Sequence, residues 1–212
     1  MAYEIPALGT AGQVYTAAAH NIIVGDILQF APFVQGVFTT ETLRDAAIPS
    51  PTEGMHVYIT APESGKTTAV GGVTTIPLGI RTIYNGSVWV CVTPVGSRTS
   101  GTSGTFQTSY GDWTVSAALT SVTLVTGVTA LVSVGARITG TGNFGVVSVK
   151  TGTVAADDSW GAFNQSATYL TVGRTFVMSG LDAGTNTFTI QHKTNATGGN
   201  GDQATLVVCG IA

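Results

Sequence analysis

The chain has 212 residues, enough for one sizeable domain plus a smaller one, or for one domain with an extension. Charged residues make up 9% of it, against roughly 25% in ordinary soluble domains, and its mean hydropathy is positive. A net charge of −3, with eight Lys and Arg scattered along the chain, excludes the dense cationic stripe of a nucleic-acid binder, and no apolar run reaches the roughly 18–20 residues of a membrane span.

So few charges admit two readings. Either a Thr/Ser/Gly-rich β protein carries a neutral polar skin, or much of the surface is buried by copies of itself or by a larger assembly. The opening MAYEIPALGT lacks the basic and apolar regions of a signal peptide. Residues 1–15 read as extended, because Pro6, Gly9 and Gly12 interrupt any helix. Thr16 then caps a short helix through AAAHNIIVGDILQF, with Ala19, Ile23, Ile27 and Phe30 on one side. Pro32 ends it. A second helix is predicted at Thr40–Ala47, with Glu41 in its first turn and Pro49 as the stop. Residues 1–50 therefore read as an arm with short helices.

SPTEGMHVYIT follows as a turn and a strand in which Met55, Val57 and Ile59 alternate with His56 and Tyr58. Residues 61–75 are loop-like. Asn85-Gly86 lies between two apolar runs, the strongest short hairpin signal. Residues 51–95 thus predict a meander of about three strands, too small to stand alone. Residues 96–112 have the Gly/Ser/Thr composition of a linker, which places a domain boundary there.

From residue 113 to 212 the runs SVTLVT, TALVSVGARIT, FGVVSVKT, TYLTVGRTFVMSGL, TNTFTIQHKT and ATLVVCGIA are separated by Gly, Asn, Asp and Ser. Each is short, β-branched and bounded by turn formers, the pattern of a sandwich or barrel. Leu131, Ser133, Gly135 and Arg137 alternate with Val132, Val134, Ala136 and Ile138; Phe188, Ile190 and His192 alternate with threonines and Gln191. The fold class is mostly β.

Motifs for chemistry are weak. GTGNFG at Gly140, Gly142 and Gly145 matches the dinucleotide pattern in letters, but it joins two strands, and the pyrophosphate needs a helix N-terminus. ESGKTT echoes a phosphate loop, yet Thr60 stands where its first glycine belongs. His20, His56 and His192 fall in different elements, without metal-ligand spacing, and no GxSxG elbow occurs. Asp157-Asp158 reads as a turn rather than as a glycosidase pair or a calcium site. No catalytic, cofactor or metal residue is assigned, and the chain is not read as an enzyme. Cys91 and Cys209 are flanked by strand residues and read as buried thiols from a reducing cytosol, with a disulfide as the alternative. The loop 157–169 carries Trp160, Phe163 and Asn164, which either stack on a sugar ring or close one end of the fold.

AGQVYTAAAHN, TTETLRDAAIPSPTEGMHVYIT and IYNGSVWVCVTP together resemble the N-terminal part of small virion structural proteins of tailed bacteriophages, the minor tail or fibre type. The similarity spans residues 11–30 and 36–94. Its most specific pieces are Pro51–Met55, Tyr84–Ser87 and Trp89, and the 61–75 stretch departs from the shortest forms of the hairpin. RTFVMSGLDAGTNTFTIQHKT and the final ATLVVCGIA are similar to jelly rolls of the tumour-necrosis-factor and complement-head type. These resemblances imply an antiparallel jelly-roll sandwich after the helices and meander. They also imply a homotrimeric virion component assembled in the host cytoplasm, touching other virion proteins of capsid or tail, with no enzymatic activity, nucleic acid or membrane insertion. Tyr3, Ile5, Val14, Tyr15, Ile23, Ile27, Phe30 and Phe33 would attach it or zip the copies together. The competing reading is a lectin-like module that binds host glycans through the 157–169 loop.

Overall fold

The computed structural model describes residues 36–63, 67–68, 74–75, 79–99, 102–103, 105–115, 118–139, 144–195 and 198–212. The arm residues named above and the helix expected at 17–30 lie outside them. Along the chain come β1 (Val37–Phe38), α1 (Glu41–Ala47), β2 (His56–Ile59), β3 (Thr67–Thr68), β4 (Thr74–Thr75), β5 (Ile80–Tyr84), β6 (Trp89–Cys91) and β7 (Val95–Arg98). Then follow β8 (Gly111–Asp112), β9 (Thr114–Val115), β10 (Ala118–Leu119), β11 (Ser121–Thr126), β12 (Thr129–Ile138) and β13 (Gly145–Lys150). After a 3-10 turn at Asp158–Trp160 come β14 (Ala162–Asn164), β15 (Leu170–Ser179), β16 (Gly184–Thr194) and β17 (Gly201–Ile211).

Thr40 caps α1, its hydroxyl accepting from the Leu43 amide at 3.3 Å. The helix presses Arg44, only 5% exposed, onto the face of Trp89, with the guanidinium carbon 4.8 Å from the ring centroid. Met55 and Gly54 bond the backbone of Tyr84, so the two most specific pieces of the phage resemblance are neighbours in space. At the hairpin, Gly86 takes the positive φ of +89°. Asn85 keeps a negative φ and serves through its side chain, which accepts from the amides of Ser87 (3.1 Å) and Val88 (2.9 Å). The meander is therefore present as β2, β5 and β6, with β1 added in parallel at its edge.

Beyond it stand two large sheets and a two-stranded antiparallel ribbon of β9 and β10. The front sheet runs β14-β13-β16-β11-β3, with β8 also on β16; the back sheet runs β15-β12-β17-β7-β4. Counting β7 and β11–β17 as eight strands, the first pairs with the eighth, the second with the seventh, the third with the sixth and the fourth with the fifth. That nesting is the strand order of a jelly roll. Alternation in β12 buries Ala130, Val132, Val134, Ala136 and Ile138 as the sequence predicts, and they meet Val147, Val149, Phe188 and Ile190 from the front sheet.

Two expectations need correction. The 61–75 stretch is more than loop: β3 extends the front sheet and β4 the back sheet. The 96–112 stretch is not a spacer. β7 pairs with β17, β8 pairs with β16, and between them Thr99, Ser103 and Phe106 donate to Ala204, Gly201 and Gly199 at 2.7–2.8 Å. Phe106 is fully buried. Gly/Ser/Thr composition signals a flexible linker only when water satisfies the backbone; here strand edges do so. Val57, Ile59 and Ile80 of the meander share one hydrophobic cluster with Val132 and Leu206 of the sandwich.

Candidate functional site

The front sheet carries a polar outer face. Asp158 accepts from the Tyr110 hydroxyl at 2.7 Å and pairs with Lys193 at 2.8 Å, while the Lys193 ammonium lies 4.7 Å from the Tyr110 ring centre. Burial, then the bond to Asp158, pushes the Tyr110 phenol up. Beside this triad, Asp112 pairs with Lys150 at 2.6 Å and accepts from Gln191 at 2.7 Å. Burial opposes the Asp112 charge, but those two bonds outweigh it and hold its carboxyl below the usual range. Asp157 caps the 3-10 turn through the Ser159 amide at 2.7 Å. Thus the adjacent aspartates have separate structural partners and do not face each other across a groove.

His192 lies beneath this face, stacked on Phe106 at 4.1 Å and edge-on to Trp113 at 5.6 Å. Burial drives its pKa down to about 4, so it is neutral near pH 7. His56 sits on β2, beside a cleft of about 220 Å³ that Tyr58 and Arg81 also line. Among the described residues, no group of three His, Cys, Asp or Glu could hold a metal ion. No helix of the described residues is long and apolar enough to cross a membrane. GTGNFG leads from β12 into β13, so the helix that a dinucleotide requires does not follow it.

The three loop residues have different fates. Trp160 stacks on Phe176 of β15 (6.0 Å, 16°) and donates to the Val149 carbonyl at 3.4 Å, closing one side of the sandwich. Asn164 is 1% exposed, and its amide donates to the carbonyls of Ile138 (2.6 Å) and Thr168 (2.9 Å). Phe163 alone faces solvent, 43% exposed against Phe144. The structure therefore does not gather the three into one binding surface.

What the sequence reading missed is the back sheet's outer face. Its rows are Leu131–Val177–Cys209, Ser133–Thr175–Val207 and Gly135–Gly173–Thr205. Charges stand only at the margins: Arg137 and Asp202 at one end, 3.7 Å apart, and Arg98 on β7. Leu131 is 42% and Val177 58% exposed. The signal was available in the outward half of the β12 alternation, where Leu131, Ser133 and Gly135 replace the usual Lys and Glu. Both cysteines are free thiols, at the seam where β6 meets β17. Burial pushes Cys91 up to about 11 and also raises Cys209, so neither is a reactive thiolate.

The described residues thus form a jelly-roll β-sandwich with one outer face laced with ion pairs and one charged only at its margins. No protein-family model matches the chain, and no curated protein does. Among solved structures it is similar to a CBM35 module from Cellvibrio japonicus Abf62, with 13% identity and a TM-score of 0.29 over 57% of this chain and 99% of that one. It is also similar to the Arthrobacter globiformis T6 isomalto-dextranase complexed with panose, with 15% identity and a TM-score of 0.28 over 56% of this chain. There the match spans only 22% of the larger protein. Overlaps this low carry no argument about this chain, whose architecture rests on its own strand pairing.

Proposed function

We propose that this chain is a structural subunit of a tailed-bacteriophage particle, a homotrimeric appendage of tail or capsid. The observation that carries this reading is the back sheet's outer face. Leu131 and Val177 lie side by side on a face whose only charges are marginal, and a lone surface rarely keeps such a face wet. Copies or virion neighbours that cover it account for the low charge of the whole chain. The phage-type motifs support the same reading, since Pro51–Met55 and Tyr84–Ser87 build one paired unit that docks on the sandwich. The residues of the arm, among them Ile23, Ile27 and Phe30, supply attachment. Immunogold labelling of purified particles should decorate tail or capsid; particles that lack the protein would contradict the assignment.

A second reading keeps one specific observation, the exposed Phe163 beside Phe144, as an aromatic platform for a host-surface glycan. Phe163→Ala should abolish glycan-array binding under this reading and leave the fold intact. Unchanged binding removes the platform.

A further inference from the structure

Most sheet edges in this protein are blunted by shortness. β1, β3 and β4 each have two residues and β14 has three. Short edges offer too few free amides and carbonyls to template another strand. β15 is different. It ends the back sheet, has ten residues, and pairs with β12 along its whole length from Leu170 to Ser179. Among the described residues no strand lies on its other side, and no backbone hydrogen bond reaches it from there. Trp160 and the Arg174–Gly161 contact (3.3 Å, to the Gly161 carbonyl) close the inner side of this edge, with β14 and the 3-10 turn packed beside β15, but none of them pairs with its backbone. The usual protections are missing too: β15 contains no proline and one charge, Arg174.

We propose that the free edge of β15 pairs antiparallel with β15 of a second copy, about a twofold axis at Thr175. The occupant follows from the side chains. Antiparallel self-pairing that keeps matching faces together needs partners whose numbers sum to an even total. With Thr175 on the axis, Gly173 lies opposite Val177, Val172 opposite Met178, and Arg174 opposite Phe176. The small residue then receives the exposed one, and each guanidinium meets an aromatic ring. The adjacent register, with Arg174 on the axis, would set two like charges directly opposite each other. The other neighbour, with Phe176 on the axis, sets Arg174 opposite Met178 and gives up the guanidinium–ring pair, so the sequence favours Thr175 as the axis.

This contact is separate from the threefold of the proposed function. Covering the back face needs a copy stacked on the sheet; edge pairing needs a copy beside it. Edge pairing doubles whatever unit the face produces, so a trimer becomes a hexamer and a monomer a dimer.

The test uses the full-length chain and light scattering. Wild type should show an even number of copies. Thr175→Lys and Thr175→Glu, both at an exposed position, should each lose the factor of two, because like charges then meet on the axis. Thr175 also lies in the outer row Ser133–Thr175–Val207, so each is read beside Ser133→Lys, in that row but on β12 away from the edge, which should keep the factor of two. An equimolar mixture of the two Thr175 variants should restore the wild-type mass. Thr175→Cys should add an oxidant-dependent covalent dimer that Thr171→Cys, opposite Ser179, does not form. An odd copy number for wild type, single variants that keep its mass, or a mixture that stays at half would overturn the proposal. In the wild type, a copy number without the factor of two refutes the edge, and one without the factor of three refutes the face.

Discussion

The two sheets of the sandwich bury the same kind of residue between them and treat the outside in opposite ways. The front sheet engages its charges in local pairs, Lys193 with Asp158 and Lys150 with Asp112, and covers part of its face with the loop that carries Trp160. The back sheet presents Leu131, Val177, threonines and glycines with nothing over them among the described residues. A face finished with its own ion pairs suits solvent, whereas a neutral face of the same area suits another protein surface.

The contrast can be broken most severely from the shared interior. Gly201 on β17 faces Trp113, and an added Cβ would also lie 2.9 Å from Ile138 and 3.0 Å from Phe106. Gly201→Val should cost about 3 kcal/mol through overpacking, read as a lower denaturant midpoint. An unchanged midpoint would mean the two sheets are not locked through this contact.

Acid should loosen the front sheet first. The unfolded chain takes a proton on His192 near pH 6.5, while the folded chain resists until about pH 4. Because the unfolded form binds the proton first, this stability is complete above about pH 6.5 and lost as pH falls towards 4, by about 3 kcal/mol at most. The Nδ1 of His192 is buried without a partner, so His192→Phe should fold and flatten the stability profile over that range. An equal slope in the variant would assign the acid response elsewhere.

On the back face, Leu131→Lys should leave the monomer's stability within about 0.5 kcal/mol, since the position is exposed and lies on β12, away from the β15 edge. Its effect should fall on assembly, with the copy number dropping threefold. Smallest of all, Lys193→Ala on the front face should cost about 0–1 kcal/mol and leave assembly untouched. If the front variant changed the copy number and the back variant did not, the two faces would have been assigned the wrong way round.

Much of the fold was legible because its determinants are local. Thr40 and Glu41 mark the start of α1, Asn85-Gly86 mark a hairpin, and the alternation in β12 gives its buried side directly. What the sequence concealed was long-range pairing. Nothing in GSRTSGTSGTF says that Ser103 and Phe106 will bond to Gly201 and Gly199, because the partners are about a hundred residues away and contribute only backbone. The same holds for Thr67–Thr68, whose two-residue pairing with β11 leaves no periodic trace. At the candidate site, composition identified aromatics on a loop but not their direction. Trp160 turned inward onto Phe176, Asn164 was consumed by two carbonyls, and only Phe163 stayed outside. The face charged only at its margins was written in Leu131, Ser133 and Gly135, but only the sheet shows that Val177 and Thr175 lie beside them.

Light scattering on the wild-type full-length chain over a range of concentrations tests the central claim most directly. If neighbouring copies cover the back sheet, the mass is a multiple of three copies and collapses in the Leu131→Lys variant. A single-copy mass that persists at every concentration would contradict the account.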